Sequence, residues 1–318
     1  MFPTVFGMDG KVWDPAENPL YGRHLERFLK ALLANPDNAG TWRFLVYFHP
    51  THRAWPDFPM EGNDTILILL SDEAGVVPSE LSARFFAILK TYWPLDAPKG
   101  NIIPMPLGTS NSVEGFDPIP FHERRYDVSF TGNFVAHRLD FYRQFTALRW
   151  LPPFPIGHRL TRTVYWTILK HFFRGAEFRN WLGSSRVYFS GGFGKGLPPN
   201  EYAETLVQSR IALCPRGFIS TECWRLYEAM KFGCVIVADE LPPSRWYRDS
   251  PIVIEKNWLN IRSTVAALLA DPSALEERHQ ATLRWWNDVC SEEASAKSIA
   301  AELESIRESG LRPRSIAG

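Results

Sequence analysis

Cysteine is scarce in this chain, four in 318 residues, and Cys214, Cys223, Cys234 and Cys290 show neither a disulfide framework nor the paired spacing of a zinc site. They lie in apolar segments and read as small buried hydrophobes, reduced as in a cytoplasmic protein. An excess of charge of one sign is also missing, because 35 Lys and Arg balance 35 Asp and Glu. No global field therefore draws the protein to nucleic acid or to an acidic polymer. No apolar run reaches the roughly 20 residues that span a bilayer. The opening MFPTVFGMDGKVWDPAENP lacks a basic stretch followed by an apolar one, so it does not read as a secretory signal. The expectation is a soluble cytoplasmic protein, attached at most to a membrane surface. Internal repeats and low-complexity segments are absent.

What is present is apolar residues in quantity, 45% of the chain, which at this length suits two domains of about 150 residues better than one core. In the first half, RFLVYFH (43–49) and TILILLSDE (65–73) read as buried strands, SELSARFFAILKTYW (79–93) as a helix with Ser79 as N-cap, and NIIPMPLG (101–108) as a further strand. The stretch 109–125 is rich in turn formers and reads as a linker, dividing the chain into domains 1–115 and 116–318. A second series follows: strand 126–133, a helix from about His137 to Trp150, a long helical segment 158–183, strand 186–191 and helix 200–210. Asp271 and Pro272 suit the N-cap and first turn of a later helix. Strands alternating with helices in two series predict two doubly wound α/β domains, with ligands beyond the carboxyl ends of the strands and a cleft between the domains.

The most informative segment is CPRGFISTECWRLYEAMKFGCVIV, residues 214–237. It reads as the end of a strand, a tight loop, a helix from Glu222 to Phe232 with Cys223, Leu226, Tyr227 and Met230 on one face, a terminating Gly233 and another strand. A helix start offers unpaired N–H groups and partial positive charge, and Arg216 adds a forked cation beside it, so a diphosphate would fit. A structural alternative stands beside this: Arg216 paired with a carboxylate, and Ser220 or Thr221 merely capping.

The segment resembles the C-terminal signature of exostosin-type glycosyltransferases, with CPRG, RLYEA and GC in order and Ile236 where the family usually has proline. YDVSFTGNFVAHR (126–138) is similar to the same family's segment at the first strand of the nucleotide domain. The resemblance covers mainly residues 126–258. It implies a GT-B-like fold of two Rossmann-like domains and an enzyme moving a sugar from a nucleoside diphosphate, uridine diphosphate by preference, to a saccharide or lipid-linked hydroxyl, as in polysaccharide biosynthesis. By match, Glu228 would hold the ribose, the loop Arg216, Gly217, Ser220 and Thr221 with Arg225 would hold the diphosphate, and Arg138 would add a second cation. No Asp-x-Asp pair stands at a strand-to-loop junction, so no metal and no cofactor are expected. Retaining relatives often carry a second glutamate at the position of Ser220, so inversion is expected, with a general base from the other domain. Asp72, Glu73 and His49, then His52, are the candidates for that base, each with an N-cap, surface or loop role as its alternative.

GGFGKG (191–196) is no phosphate loop of the P-loop kind, because Gly196 and not Ser or Thr follows Lys195. Basic and aromatic residues alternate over 158–183, which would suit a membrane interface, although a packing helix with a solvated basic face explains them too. Two other functions share the fold expectation: a non-catalytic nucleotide-sugar or glycan-binding module, and a nucleotide-sugar epimerase.

Overall fold

The computed structural model describes residues 5–14, 18, 20–34, 42–48, 54–96, 100–146, 167, 175–192 and 194–309. The chain forms two compact units. Met1–Asn111, Leu241–Asp249 and Asn287–Gly318 make the first, and Ser112–Glu240 with Ser250–Trp286 make the second. The expected single division at residue 115 thus differs from the observed path, in which the chain returns twice to the first unit.

The first unit is built on a parallel sheet whose strands follow chain order: β1 (Val5–Phe6), β2 (Arg43–Phe48), β3 (Gly62–Leu70), β4 (Phe85–Lys90) and β5 (Ile102–Pro104). Helix α1 (Gly22–Leu33) connects β1 to β2. Leu45, Leu67, Leu69 and Ile88 are fully buried in its core. The helix expected over 79–93 is not there: Ser79–Leu81 is one 3-10 turn without a side-chain cap, and FFAILK is strand β4, with Ile88 opposite Leu67. A strand buried on both faces is a continuous apolar run, which periodicity alone cannot separate from a buried helix.

The second unit contains β6 (Tyr126–Asn133), α2 (Leu139–Arg143), β7 (Ala176–Arg179), β8 (Ser185–Ser190), α3 (Pro199–Val207), β9 (Ser209–Cys214), α4 (Trp224–Lys231), β10 (Val235–Ala238), β11 (Val253–Ile254), α5 (Ile261–Leu269) and α6 (Pro272–Trp285). Its sheet runs β11-β10-β9-β6-β8-β7, and only β7 is antiparallel to its neighbour. Val128, Phe130, Val187, Leu213 and Val235 fill the core between sheet and helices. Asp271 caps α6 by accepting the Ala274 N–H at 3.0 Å, and Pro272 occupies its first turn, as the sequence indicates. The last helix, α7 (Glu292–Glu308), buries Ala296, Ile299, Leu303 and Ile306 and packs on α1 in the first unit.

Two helical expectations change. The helix from His137 is reduced to a 3-10 turn and the short α2, with residues 147–150 outside the described residues. The segment 158–183 also lies outside them up to residue 174, Thr167 excepted, and its final part is strand β7 rather than helix. The membrane-interface reading falls on the same residues. Among the described residues no helix is long and apolar enough to cross a membrane. The expected α/β class is what both units show.

Candidate functional site

In the second unit the chain leaves β6 toward β8 on one side and leaves β9 toward β10 on the other. The carboxyl ends of these adjacent strands therefore form a topological switch point, where the two outgoing loops diverge and leave a crevice. One loop carries Arg138; the other is Pro215–Cys223, the middle of the CPRG motif.

Arg138 ties the two loops together. Its Nε donates to the Arg216 carbonyl at 2.8 Å, its Nη1 to the Asn133 carbonyl at 2.9 Å and its Nη2 to the Pro215 carbonyl at 3.4 Å. The Arg216 N–H donates to Asp239 Oδ2 at 2.5 Å, just beyond β10, and its Nη2 to the Ile219 carbonyl at 2.6 Å. Gly217 N–H closes a turn on the Ser220 carbonyl at 2.8 Å, and Glu222 N–H donates to Ser220 Oγ at 3.1 Å. The loop thus spends several of its N–H groups on its own shape, and the run of free N–H groups expected from the sequence is shorter than foreseen.

The helix that follows starts at Trp224, two residues later than expected, with Cys223 as N-cap. Ser220 and Thr221, both half-buried, do not cap it. Arg225 in its first turn folds back onto β6: Nε donates to the Thr131 carbonyl at 2.9 Å, and the guanidinium carbon lies 4.6 Å from the centroid of the Phe130 ring. Arg138 approaches the same ring at 5.7 Å. Gly132 makes this possible, since a Cβ there would lie 2.3 Å from Arg225 Nη2. Glu228, 2% exposed, accepts a hydrogen bond from the Tyr202 hydroxyl of α3. Burial, reinforced by the Glu228 charge, pushes the Tyr202 hydroxyl well above its ordinary pKa, so it remains a proton donor to the carboxylate.

Three guanidinium groups therefore surround one loop, with hydrogen bonds to backbone carbonyls. Arg216 Nε and Arg225 Nη1 are buried without a hydrogen-bond partner. Buried donors of this kind are costly unless something accepts from them, and an oxyanion would. Among the described residues no group of three His, Cys, Asp or Glu side chains could hold a metal ion.

The residues considered for a base lie elsewhere. Asp72, beyond β3 in the first unit, is fully buried: it pairs with the equally buried Lys90 and accepts the Val76 N–H at 2.9 Å. That geometry makes Asp72 a structural carboxylate closed to solvent and removes it as a base. Glu73 is half-buried on the same turn, whereas His49 and His52 lie outside the described residues. Of the residues expected at the donor site, Arg138, Arg216, Gly217, Ser220, Thr221 and Arg225 lie together at the ends of β6 and β9. Sequence reading missed Tyr202 and Asp239, of which only Asp239, ending the apolar run CVIVAD, carried a positional signal.

Fold and site together define an α/β protein with three arginines gathered around one loop at the switch point of its second sheet. Residues 198–292 match the family model of the RXYLT1 C-terminal domain, of the exostosin-like glycosyltransferase family. That segment contains the CPRG, RLYEA and GC motif, and the match supports glycosyl transfer as the class of activity. No curated protein matches the chain. Among solved structures, it is similar to a sucrose-phosphate synthase from Thermosynechococcus elongatus, at 12% identity over 91% of this chain and 79% of that one, TM-score 0.47. It is similar also to MurG from Acinetobacter baumannii, at 8% identity over 89% and 80%, TM-score 0.41. A third is the DNA-modifying enzyme beta-glucosyltransferase, solved with and without uridine diphosphoglucose, at 10% identity over 97% and 98%, TM-score 0.40.

Proposed function

We propose that the protein is a glycosyltransferase that takes a sugar from a nucleoside diphosphate donor, with the diphosphate held at the Pro215–Cys223 loop. The observation that carries this reading is the pair of unpartnered guanidinium nitrogens, Arg216 Nε and Arg225 Nη1, beside that loop at the switch point. When the bond from the anomeric carbon to the diphosphate breaks, negative charge grows on the leaving oxygen. Fixed guanidinium donors stabilise that charge without reorganising at the moment of reaction. Arg138 keeps the loop in shape by holding its carbonyls, a positioning role beside the direct one expected for it. The ribose contact assigned to Glu228 runs through the Tyr202–Glu228 pair, of which Tyr202 is the more exposed member.

Uridine diphosphate as donor, a saccharide or lipid-linked acceptor and inversion follow from the exostosin resemblance. Independence from metal follows from cations that the protein itself supplies and from the missing Asp-x-Asp pair. With Asp72 sealed in its ion pair, Glu73, His49 and His52 remain as the candidates for the base that the sequence offered. Incubation of the protein with uridine diphosphate sugars and excess chelator, read by proton NMR, tests the set. Release of uridine diphosphate with a product of inverted anomeric configuration supports it. Turnover that appears only with added manganese contradicts metal independence, and an isomerised donor with no diphosphate released favours an epimerase.

A further inference from the structure

The Pro215–Cys223 loop presents one side chain outward. Every residue in it is buried or half-buried except Phe218, which is 62% exposed. A single apolar residue on a surface is ordinary, so it is the position of Phe218 that carries weight. Gly217 N–H donates to the Ser220 carbonyl at 2.8 Å and Arg216 Nη2 to the Ile219 carbonyl at 2.6 Å, so the Arg216 guanidinium is anchored on the residue next to Phe218. The loop after β6 supplies a second ring. His137 is exposed too, and its ring stands edge-to-face with that of Phe218, centroids 6.4 Å apart at 79° between planes. Arg138, the next residue, holds the carbonyls of Pro215 and Arg216 and so fixes the two loops against each other.

The sheet decides which part of a donor these rings would meet. β8 leads through α3 to β9, and β9 leads through α4 to β10, two crossovers in one direction along the sheet; right-handed connections put both helices on the same face. β6 leads through α2 to β8 in the opposite direction, and so over the other face, where Phe141 and Tyr142 pack on Phe130 and Phe189. Tyr202 and Glu228, the pair assigned to the ribose, therefore lie on one flank of the loop. His137, in the 3-10 turn that runs into α2, lies on the other. A nucleoside diphosphate sugar carries its nucleoside on one phosphate and its sugar on the other. With the diphosphate at Arg216 and the ribose at the Tyr202–Glu228 pair, the sugar is directed toward Phe218 and His137. A pyranose is polar at its rim, but the C–H groups on its faces are apolar and slightly positive, which complements the negative face of an aromatic ring.

We propose that Phe218 is the platform on which the sugar of the donor rests, with His137 as a positioning residue that steadies its ring. The assignment rests on the donor reading above and deepens it: the loop binds the diphosphate through Arg216 and recognises the sugar through Phe218.

The test is calorimetric titration of the full-length protein and of Phe218→Ala, Phe218→Tyr and His137→Ala with uridine diphosphate, and with uridine diphosphate glucose, galactose, xylose and N-acetylglucosamine. An aromatic stacking contact corresponds to about a 2- to 12-fold change in a dissociation constant. Phe218→Ala is expected to weaken binding of the sugar nucleotide that the parent prefers by that factor, with binding of bare uridine diphosphate unchanged. Phe218→Tyr, which keeps the ring, should bind both as the parent does, and His137→Ala should show the selectivity of Phe218→Ala with a smaller loss. Because the side chain is exposed, the variants are expected to melt with the parent. Equal weakening of uridine diphosphate and of the sugar nucleotide would assign the ring to the base and overturn the proposal. Unchanged binding of both ligands by Phe218→Ala overturns the platform alone and leaves the donor reading standing, whereas a parent that binds neither ligand overturns both.

Discussion

Replacing Gly132 by alanine probes the contact between the two sequence motifs. The residue does not have a positive φ, so a methyl group costs nothing in backbone terms and should even stabilise the chain, by about 0.4–1 kcal/mol, by restricting the unfolded state. The structure reverses that sign. The new Cβ would lie 2.3 Å from Arg225 Nη2 and 3.0 Å from Phe130 Cζ, so the guanidinium must leave the strand. It then loses its charge-assisted hydrogen bond to the Thr131 carbonyl, about 1.5–3 kcal/mol, and its place over Phe130, about 0.5–2 kcal/mol. The net cost is about 1–4.5 kcal/mol, centred on roughly 3, or a fall in Tm of about 6–12 °C at about 2–4 °C per kcal/mol. Thermal melts of Gly132→Ala, Arg225→Ala and the double variant form the cycle. Alanine at 132 should cost less than about 1 kcal/mol once Arg225 is gone. A Gly132→Ala protein as stable as its parent would refute the contact.

Four further outcomes are expected. Lys90→Met strands the buried Asp72 charge and should cost about 3–5 kcal/mol in urea denaturation, much of which Asp72→Asn in the same chain restores. Gly233 ends α4 at φ +67, and a Cβ there would lie 2.6 Å from Leu283 and 2.7 Å from His279 Nδ1, so Gly233→Ala should lower Tm markedly. Gly194, at φ +71 with nothing within 4 Å, should by contrast accept asparagine within about 0.5 kcal/mol. In the first unit burial opposes the Glu292 charge, but His24 and Arg27 more than offset it and hold the carboxyl well below the usual range. A depressed folded pKa adds stability that is full above the unfolded value of about 4.3 and is lost as pH falls below it. Glu292→Gln should therefore flatten the loss of stability between about pH 5 and pH 3 in acid titrations followed by circular dichroism.

The fold was legible where one signal pointed one way. Strand β6, the βαβ unit of the CPRG motif and the Asp271–Pro272 helix start each combine a clear period with turn or cap chemistry. The failure over 79–93 has the opposite cause: FFAIL is apolar throughout, and the partner that buries Lys90, Asp72, lies 18 positions away. The site was legible as a set of residue types but not as an arrangement. That Arg138 would spend itself on the carbonyls of Pro215 and Arg216, and that Tyr202 would meet Glu228, depend on how β6, α3 and β9 pack. The division into units escaped the sequence for the same reason, since the return of α7 to α1 is decided by side-chain packing across the length of the chain.

Isothermal titration of uridine diphosphate into the reduced protein, with chelator present, set beside the same titration of Arg216→Ala, tests the central claim most directly. The account requires saturable binding by the parent without metal and its loss in Arg216→Ala, while both proteins melt at similar temperatures. Binding that survives unchanged in a folded Arg216→Ala protein, or no binding by the parent to this or any other nucleoside diphosphate, would contradict it.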